Sequence, residues 1–304
     1  MEDSPVLPGG VPAFLSDTGL FEGETDTIVA EAIEYQPGTE LWADSALKQR
    51  WVLIPDDEMV DTSDMDAWVF PEGTKAWKQF SLEGNKVETR MLWKRENGWL
   101  SVSYLWDDDG SVARAVPDGA NNVNGTSHDV PSQAECAECH NRLAEPVLGF
   151  GAIQLSSASL PVSVTSLSED GLLSDVPAAP IEIPGNEVEV AALSYLHGNC
   201  GGCHNPNSDV AEKVDVMLRL RTDALENVED TSIYQTSVNV PLKKGLGSPE
   251  INRIIKGGVP EESAIFVRMN SRADDVAMPP VATEQIDQNG VAAVQAWIQV
   301  LPVE

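Results

Sequence analysis

The feature that most constrains this chain of 304 residues is a short motif, Cys-x-x-Cys-His, which occurs twice and uses every cysteine present. The six residues of the two motifs are Cys136, Cys139 and His140, and Cys200, Cys203 and His204. Covalent attachment of c-type haem needs this spacing, because two thiols add to the two vinyl groups of one porphyrin. The histidine that follows at once is then placed to bind the iron as an axial ligand.

Two other uses of paired cysteines compete with haem attachment. A zinc site built from two Cys-x-x-Cys knuckles usually has about 15–20 residues between them. Here the knuckles start at Cys136 and Cys200, and zinc leaves both neighbouring histidines unexplained. Disulfide or thioredoxin-like redox chemistry also requires no histidine after each pair. The pattern therefore predicts two covalently attached c-type haems, with His140 and His204 as axial iron ligands.

Charge limits the partners that such a chain can have. The formal net charge is −30, so the surface repels nucleic acid and anionic lipid. A solvated acidic coat explains this charge, and so does docking to redox proteins with basic surfaces. No apolar run reaches the ~20 residues of a membrane helix. Because covalent haem attachment usually takes place outside the bacterial cytoplasm, we expect an exported protein, periplasmic or at the cell surface.

The C-terminal half reads as mainly helical. Residues 186–200 have apolar side chains at helical spacing, with Asn186 as N-cap and Glu189 completing a capping box. A second apolar stripe predicts a closing helix over 291–301, so two helices flank the second motif, as in class I cytochromes c. Between them, Met278 precedes two prolines in an extended loop, and its thioether is the predicted second axial ligand of haem 2. Met269, on a predicted short helix, is expected to pack.

The segment between the second motif and Met278 is longer than a minimal cytochrome c requires. Residues 214–222 alternate apolar and polar side chains, which predicts a β-strand. The segment TSIYQTSVNVP, which follows it, is expected to pair with that strand.

The N-terminal half reads as antiparallel β-structure. Residues 66–116 contain aromatic and β-branched segments separated by turns, among which Asn97-Gly98 is a strong hairpin signal. The fold class is therefore α+β, with a β-rich N-terminal domain over 1–180 that ends in the first haem segment. A mainly α, cytochrome c-like domain follows over 181–304.

The sixth ligand of haem 1 is open at this point. His128 and His197 are the two histidines outside the motifs, and each is a candidate distal ligand of haem 1. A methionine such as Met91 is a third candidate, and an iron open to water or small molecules is a fourth. An open iron would make the protein a dihaem peroxidase-like enzyme rather than an electron carrier.

Several segments together resemble a bacterial family of exported dihaem c-type cytochromes over roughly residues 12–302. They are LSDTGLF, LWADSALKQRW, WVFPEGTKAWKQF, VETRMLWKRENGW, VPSQAECAECH, VLGFGAIQL, YLHGNCGGCHNP, MPP and GVAAVQAWI. The resemblance implies two covalent haems and electron carriage between redox proteins. It matches the motif cysteines and histidines and Met278 to haem positions, and it provides no match for His128 or His197.

Overall fold

A six-stranded antiparallel sheet occupies the N-terminal half of the computed structural model, which describes residues 5–23, 25–281 and 283–303. Its strands follow the order of the chain. They are β3 (Ile33–Glu34), β4 (Leu47–Leu53), β5 (Lys75–Leu82), β6 (Asn85–Arg95), β7 (Gly98–Trp106) and β8 (Ala113–Ala115). A separate ribbon pairs β1 (Val6–Leu7) with β2 (Val11–Pro12). The predicted meander and its hairpin are confirmed, since Arg95 pairs with Gly98 across the turn between β6 and β7.

Alternation along the strands gives the sheet two different faces. Trp77 and Met91, paired across β5 and β6, belong to one core together with Val102 and Tyr104. Their neighbours Ala76 and Leu92 pack into a second core on the opposite face. Because successive side chains in a strand point to opposite sides, Lys78 and Arg90 lie on this second face.

Seven helices lie within the described residues, most of them short. They are α1 (Gln133–His140), α2 (Val164–Glu169), α3 (Glu187–Asn199), α4 (Asp209–Val214), α5 (Ser232–Ser237), α6 (Ala264–Met269) and α7 (Gln288–Val300). Together the elements make a mixed α+β fold. None of the helices in the described ranges is long and apolar enough to cross a lipid bilayer.

Helices α3 and α7 cross in close contact and form the centre of the C-terminal core. The predicted capping box at the start of α3 is confirmed, because Asn186 accepts from the amides of Val188 and Glu189 while Glu189 accepts from Asn186. At the crossing, Gly290 lies against the ring of Tyr195, and a side chain at this glycine would overlap that ring. The predicted packing role of Met269 is confirmed, because it is buried in the same core.

The strand predicted over 214–222 is wrong. Val214 ends α4, and residues 215–221 form no ladder, although their alternation correctly marks Val216, Leu218 and Leu220 as buried. The predicted partner segment instead contains α5, which begins where Thr231 caps the amide of Tyr234. The backbone of the extended segment bonds to other groups: the amide of Leu218 donates to the carbonyl of His204. Alternation reports which side chains are buried, whereas a strand also needs a partner backbone.

The described cores of the two halves are largely separate, with Ile153 joining the C-terminal one. Contacts nevertheless connect the halves. The amide of Thr222 donates to both carboxylate oxygens of Asp66 at 2.9 and 3.1 Å, and the amide of Trp42 donates to Asn199 at 2.7 Å. The boundary near residue 180 stays a prediction.

Candidate functional site

The first motif lies on α1, which packs against β7. The side-chain amide of Gln133 donates to the carbonyl of Ser101 at 2.7 Å and so anchors the start of the helix to the strand. Cys136 is a buried free thiol, and burial raises its pKa. The helix also contains Cys139, whose side chain lies outside the described part of the structure.

His140 is held in one tautomer. Its Nδ1 lies 2.7 Å from the carbonyl oxygen of Pro146, and a carbonyl can only accept, so Nδ1 carries the proton. The second ring nitrogen, Nε2, then has its lone pair available for a metal, the usual arrangement for a histidine ligand. Burial, followed by the nearby charges of Lys78 and Arg90, lowers the pKa of His140 to about 4. The imidazole is therefore neutral at pH 7, as a ligand must be.

The second motif repeats this arrangement in a different local structure. It begins at Cys200, the C-cap of α3, and the amide of His204 donates to the carbonyl of Cys200 at 2.8 Å. Nδ1 of His204 donates to the carbonyl of Val216 at 3.2 Å, so here too Nε2 is available. Burial is the main cause of a lowered pKa at His204, and it raises the pKa of Cys200 to about 12.

Glycine is required at Gly201 by the packing of this turn. A side chain at Gly201 would lie 2.6 Å from the carbonyl oxygen of His197 and 3.0 Å from the backbone of Arg219. Both distances are closer than a methyl group normally approaches another atom. Gly201 thus lets the motif pack against the extended segment that contains Leu218 and Arg219.

A cleft of about 470 Å³ lies between α1 and the second face of the sheet. Residues that line it include Tyr35, Lys78, Arg90, Cys136, His140 and Leu148. The cleft places a thiol and the imidazole of the first motif in one wall and two cationic side chains in the facing wall.

A larger cleft of about 820 Å³ lies between the two halves of the chain. Its walls include Trp68, Gln154, His197, Gly202 and Arg219. Val147 and Leu148 line both clefts, and a side chain at Gly202 would meet Leu148 at 3.3 Å. The segment just after the first motif therefore touches the second motif directly.

Two buried indole groups have no hydrogen-bond partner within the described residues. They are Nε1 of Trp68, beside the larger cleft, and Nε1 of Trp297, in the same core as Cys200. A buried N–H without an acceptor costs about 1–3 kcal/mol, so such groups usually have a partner that completes them. Of the two, Trp68 lines a cleft, whereas Trp297 lies within the C-terminal core.

Met278 lies in a loop held by two arginines. Its amide donates to the carbonyl of Arg268 at 3.1 Å, and Nη2 of Arg272 donates to its carbonyl at 3.0 Å. The side chain is half-buried. Hydrogen bonds to the backbone of Met278 thus hold the loop in place. Ligation of iron by its thioether stays a prediction.

The ring nitrogens of the two histidines outside the motifs make different hydrogen bonds from those of the two motif histidines. The amide of Leu220 donates to Nδ1 of His197 at 3.0 Å, which places the proton of the neutral ring on Nε2. Burial, followed by Arg219, lowers the pKa of His197 to about 3, so the ring is neutral. This tautomer is the reverse of that in His140 and His204, and it argues against iron ligation by His197.

The side chain of His128 is hydrogen-bonded to a buried carboxylate. Its Nε2 lies 2.8 Å from Oε2 of Glu88, which is fully buried and also accepts from Arg90 at 2.6 and 2.9 Å. The ring is tilted against Phe80. Burial opposes ionisation of Glu88, but Arg90 and His128 outweigh it, so the pKa of this carboxyl is lowered. His128 thus serves a charge network beside the cleft.

The sequence reasoning missed the two cations in the cleft. Lys78 and Arg90 pair across β5 and β6 within otherwise aromatic and apolar strands. The sequence did contain a signal for Lys78, because a lysine between Trp77 and Phe80 is unusual in a strand whose other side chains are expected to be buried. Met91, the third candidate ligand, lies on the opposite face, where its side chain packs beside Trp77.

Comparison with protein-family models, with curated proteins and with solved structures finds no match to this chain.

Proposed function

We propose that this protein is a dihaem c-type cytochrome that carries electrons between exported redox partners. In this proposal Cys136 and Cys139 attach haem 1, and Cys200 and Cys203 attach haem 2. The observation that carries the proposal is the tautomer shared by His140 and His204: each donates Nδ1–H to a backbone carbonyl and leaves Nε2 available. Neither histidine outside the motifs has this arrangement.

Contacts around the motifs support this proposal. The first motif lines a cleft, and Cys136 and Cys200 form no disulfide. The unpartnered N–H group of Trp68, which lines the larger cleft, is suited to a carboxylate of a porphyrin.

When bound, each haem supplies a one-electron iron couple. The chain's own residues determine its setting. His140 and His204 would hold the iron of each haem, and the two cores would exclude water. Met278 would supply the thioether that raises the potential of haem 2. Leu148 lines both clefts and packs against Gly202 of the second motif.

The proposed setting of haem 2 is a cytochrome c-like C-terminal half. Support comes from the crossing of α3 and α7, with the second motif directly after the first of these helices. The acidic surface is suited to partners with basic docking faces, and covalent haem attachment implies export to the periplasm or the cell surface.

The test is expression of the chain in the periplasm of a host with c-type haem maturation. We expect coloured protein whose denatured mass exceeds that of the bare polypeptide by two haem groups. The matched variants Cys136→Ser with Cys139→Ser, and Cys200→Ser with Cys203→Ser, should each lose one haem. Colourless protein of bare polypeptide mass would contradict the proposal.

A peroxidase-like enzyme would need an iron at the first motif that is open on its distal side. Cyanide or carbon monoxide separates the two functions, since an open haem binds them readily and two six-coordinate haems do not.

A further inference from the structure

We propose that the Nζ amine of Lys78 is the distal ligand of haem 1, opposite His140. This inference rests on the proposed function, since it requires a haem attached at the first motif. It assigns a role to a residue that no cysteine or histidine motif marks, and it would make haem 1 a six-coordinate relay.

The position of Lys78 follows from the sheet. It lies in the middle of β5 and pairs with Arg50 on one side and Arg90 on the other. Alternation places its side chain on the face toward α1, where it lines the same cleft as Cys136 and His140. The amine and the imidazole of His140 thus line the same cleft from the sheet and from α1.

Other side chains of the cleft are poorer ligands. Met91 also borders the cleft, but its side chain packs in the core on the opposite face of the sheet. The ring of Tyr35 packs edge-on against Phe150 at 4.9 Å, and burial raises the pKa of its hydroxyl to about 12. The phenol therefore stays protonated at pH 7. Arg90 is held by Glu88 and cannot lose its proton to become a ligand.

Lys78 differs from Arg90 in having no carboxylate at ion-pair distance among the described residues. Arg90 makes two hydrogen bonds to Glu88, whereas Nζ of Lys78 lies 5.4 Å from the ring of Phe80. The cross-strand partners of Lys78, which are Arg50 and Arg90, are both cations, and a neutral amine between them avoids repulsion between like charges. The neutral amine has the lone pair that iron requires.

Ligation by Lys78 has a consequence for the two potentials. Haem 1 would have two nitrogen ligands and lack the thioether that raises a potential. Haem 2, with Met278, would then be the higher of the two, and electrons would pass from haem 1 to haem 2.

The experiment compares the matured wild-type protein with Lys78→Gln, using electron paramagnetic resonance, visible spectra and carbon monoxide binding. Lys86→Gln is the matched control, because Lys86 stacks on Trp106 at the end of the sheet. We expect two low-spin haems in the wild type and in the control. In Lys78→Gln, one of the two haems should become high-spin and bind carbon monoxide.

Two low-spin haems in Lys78→Gln, or a high-spin haem 1 in the wild type, would overturn the inference. If Lys78→Gln does not fold, Lys78→Met is measured instead. It supplies a thioether of similar length and should raise the potential of haem 1, so an unchanged potential also overturns the inference. Mass spectrometry of the wild type separates the two failures: absence of a haem on Cys136 and Cys139 defeats the proposed function itself.

Discussion

The crossing of α3 and α7 provides a sharp test of the C-terminal core. In Gly290→Ala, the added methyl group would overlap the ring and hydroxyl of Tyr195, closer than the 3.0 Å limit for such contacts. Overpacking of this kind costs about 1–3 kcal/mol, and the rigid ring favours the upper end. Alanine in a helix gains up to about 1 kcal/mol over glycine. We therefore expect a net loss of about 2 kcal/mol in the free energy of unfolding.

Removal of the tyrosine ring should reverse the sign of the effect of Gly290→Ala on the free energy of unfolding. In a Tyr195→Ala background the obstacle is gone, so Gly290→Ala should stabilise by up to about 1 kcal/mol through helix propensity. Urea unfolding followed by circular dichroism measures both differences. Gly151→Ala is the control, because no atom lies within 4 Å of that position and its φ is not positive. Its stability should change by less than about 0.5 kcal/mol. A Gly290→Ala protein as stable as the wild type, or an unchanged sign in the Tyr195→Ala background, would refute the packing described here.

Three further predictions address the axial ligand, a helix cap and a buried charge. Met278→Ala should lower the potential of haem 2 and let carbon monoxide bind there; an unchanged visible spectrum would contradict ligation. Asn186→Ala should lower the free energy of unfolding by about 1 kcal/mol, measured by urea titration, because two α3 amides lose their acceptor. Glu88→Gln should cost about 3 kcal/mol at pH 7, since Arg90 and His128 lose a buried partner. Because the folded-state pKa of Glu88 is lowered, its stabilisation is present above the ordinary value of 4.5 and is lost as the pH falls below it. The difference between wild type and Glu88→Gln should therefore shrink in acid, and a constant difference would exclude ionic stabilisation.

Local chemistry in the sequence was sufficient for several features. The hairpin at Asn97-Gly98, the capping box at Asn186 and the amphipathic helix α7 depend on residues close together in the chain. The two motifs likewise present cysteine and histidine at spacings fixed by the covalent chain. For this reason the candidate attachment sites could be named before any fold was known.

Other features depend on which distant segments meet. Residues 216–220 alternate like a strand, yet their backbone bonds to the second motif and to His197 rather than to another strand. The proton position in each histidine is likewise determined by a carbonyl or amide elsewhere in the chain. The pairing of β5 with β6 brings Lys78 and Arg90 to the cleft beside His140, while the side chain of Met91 packs in the core with Trp77. The sequence alone thus determined where haem attachment is predicted, whereas the tertiary structure decided which side chains line the cleft beside the first motif, because those side chains come from strands distant in the chain.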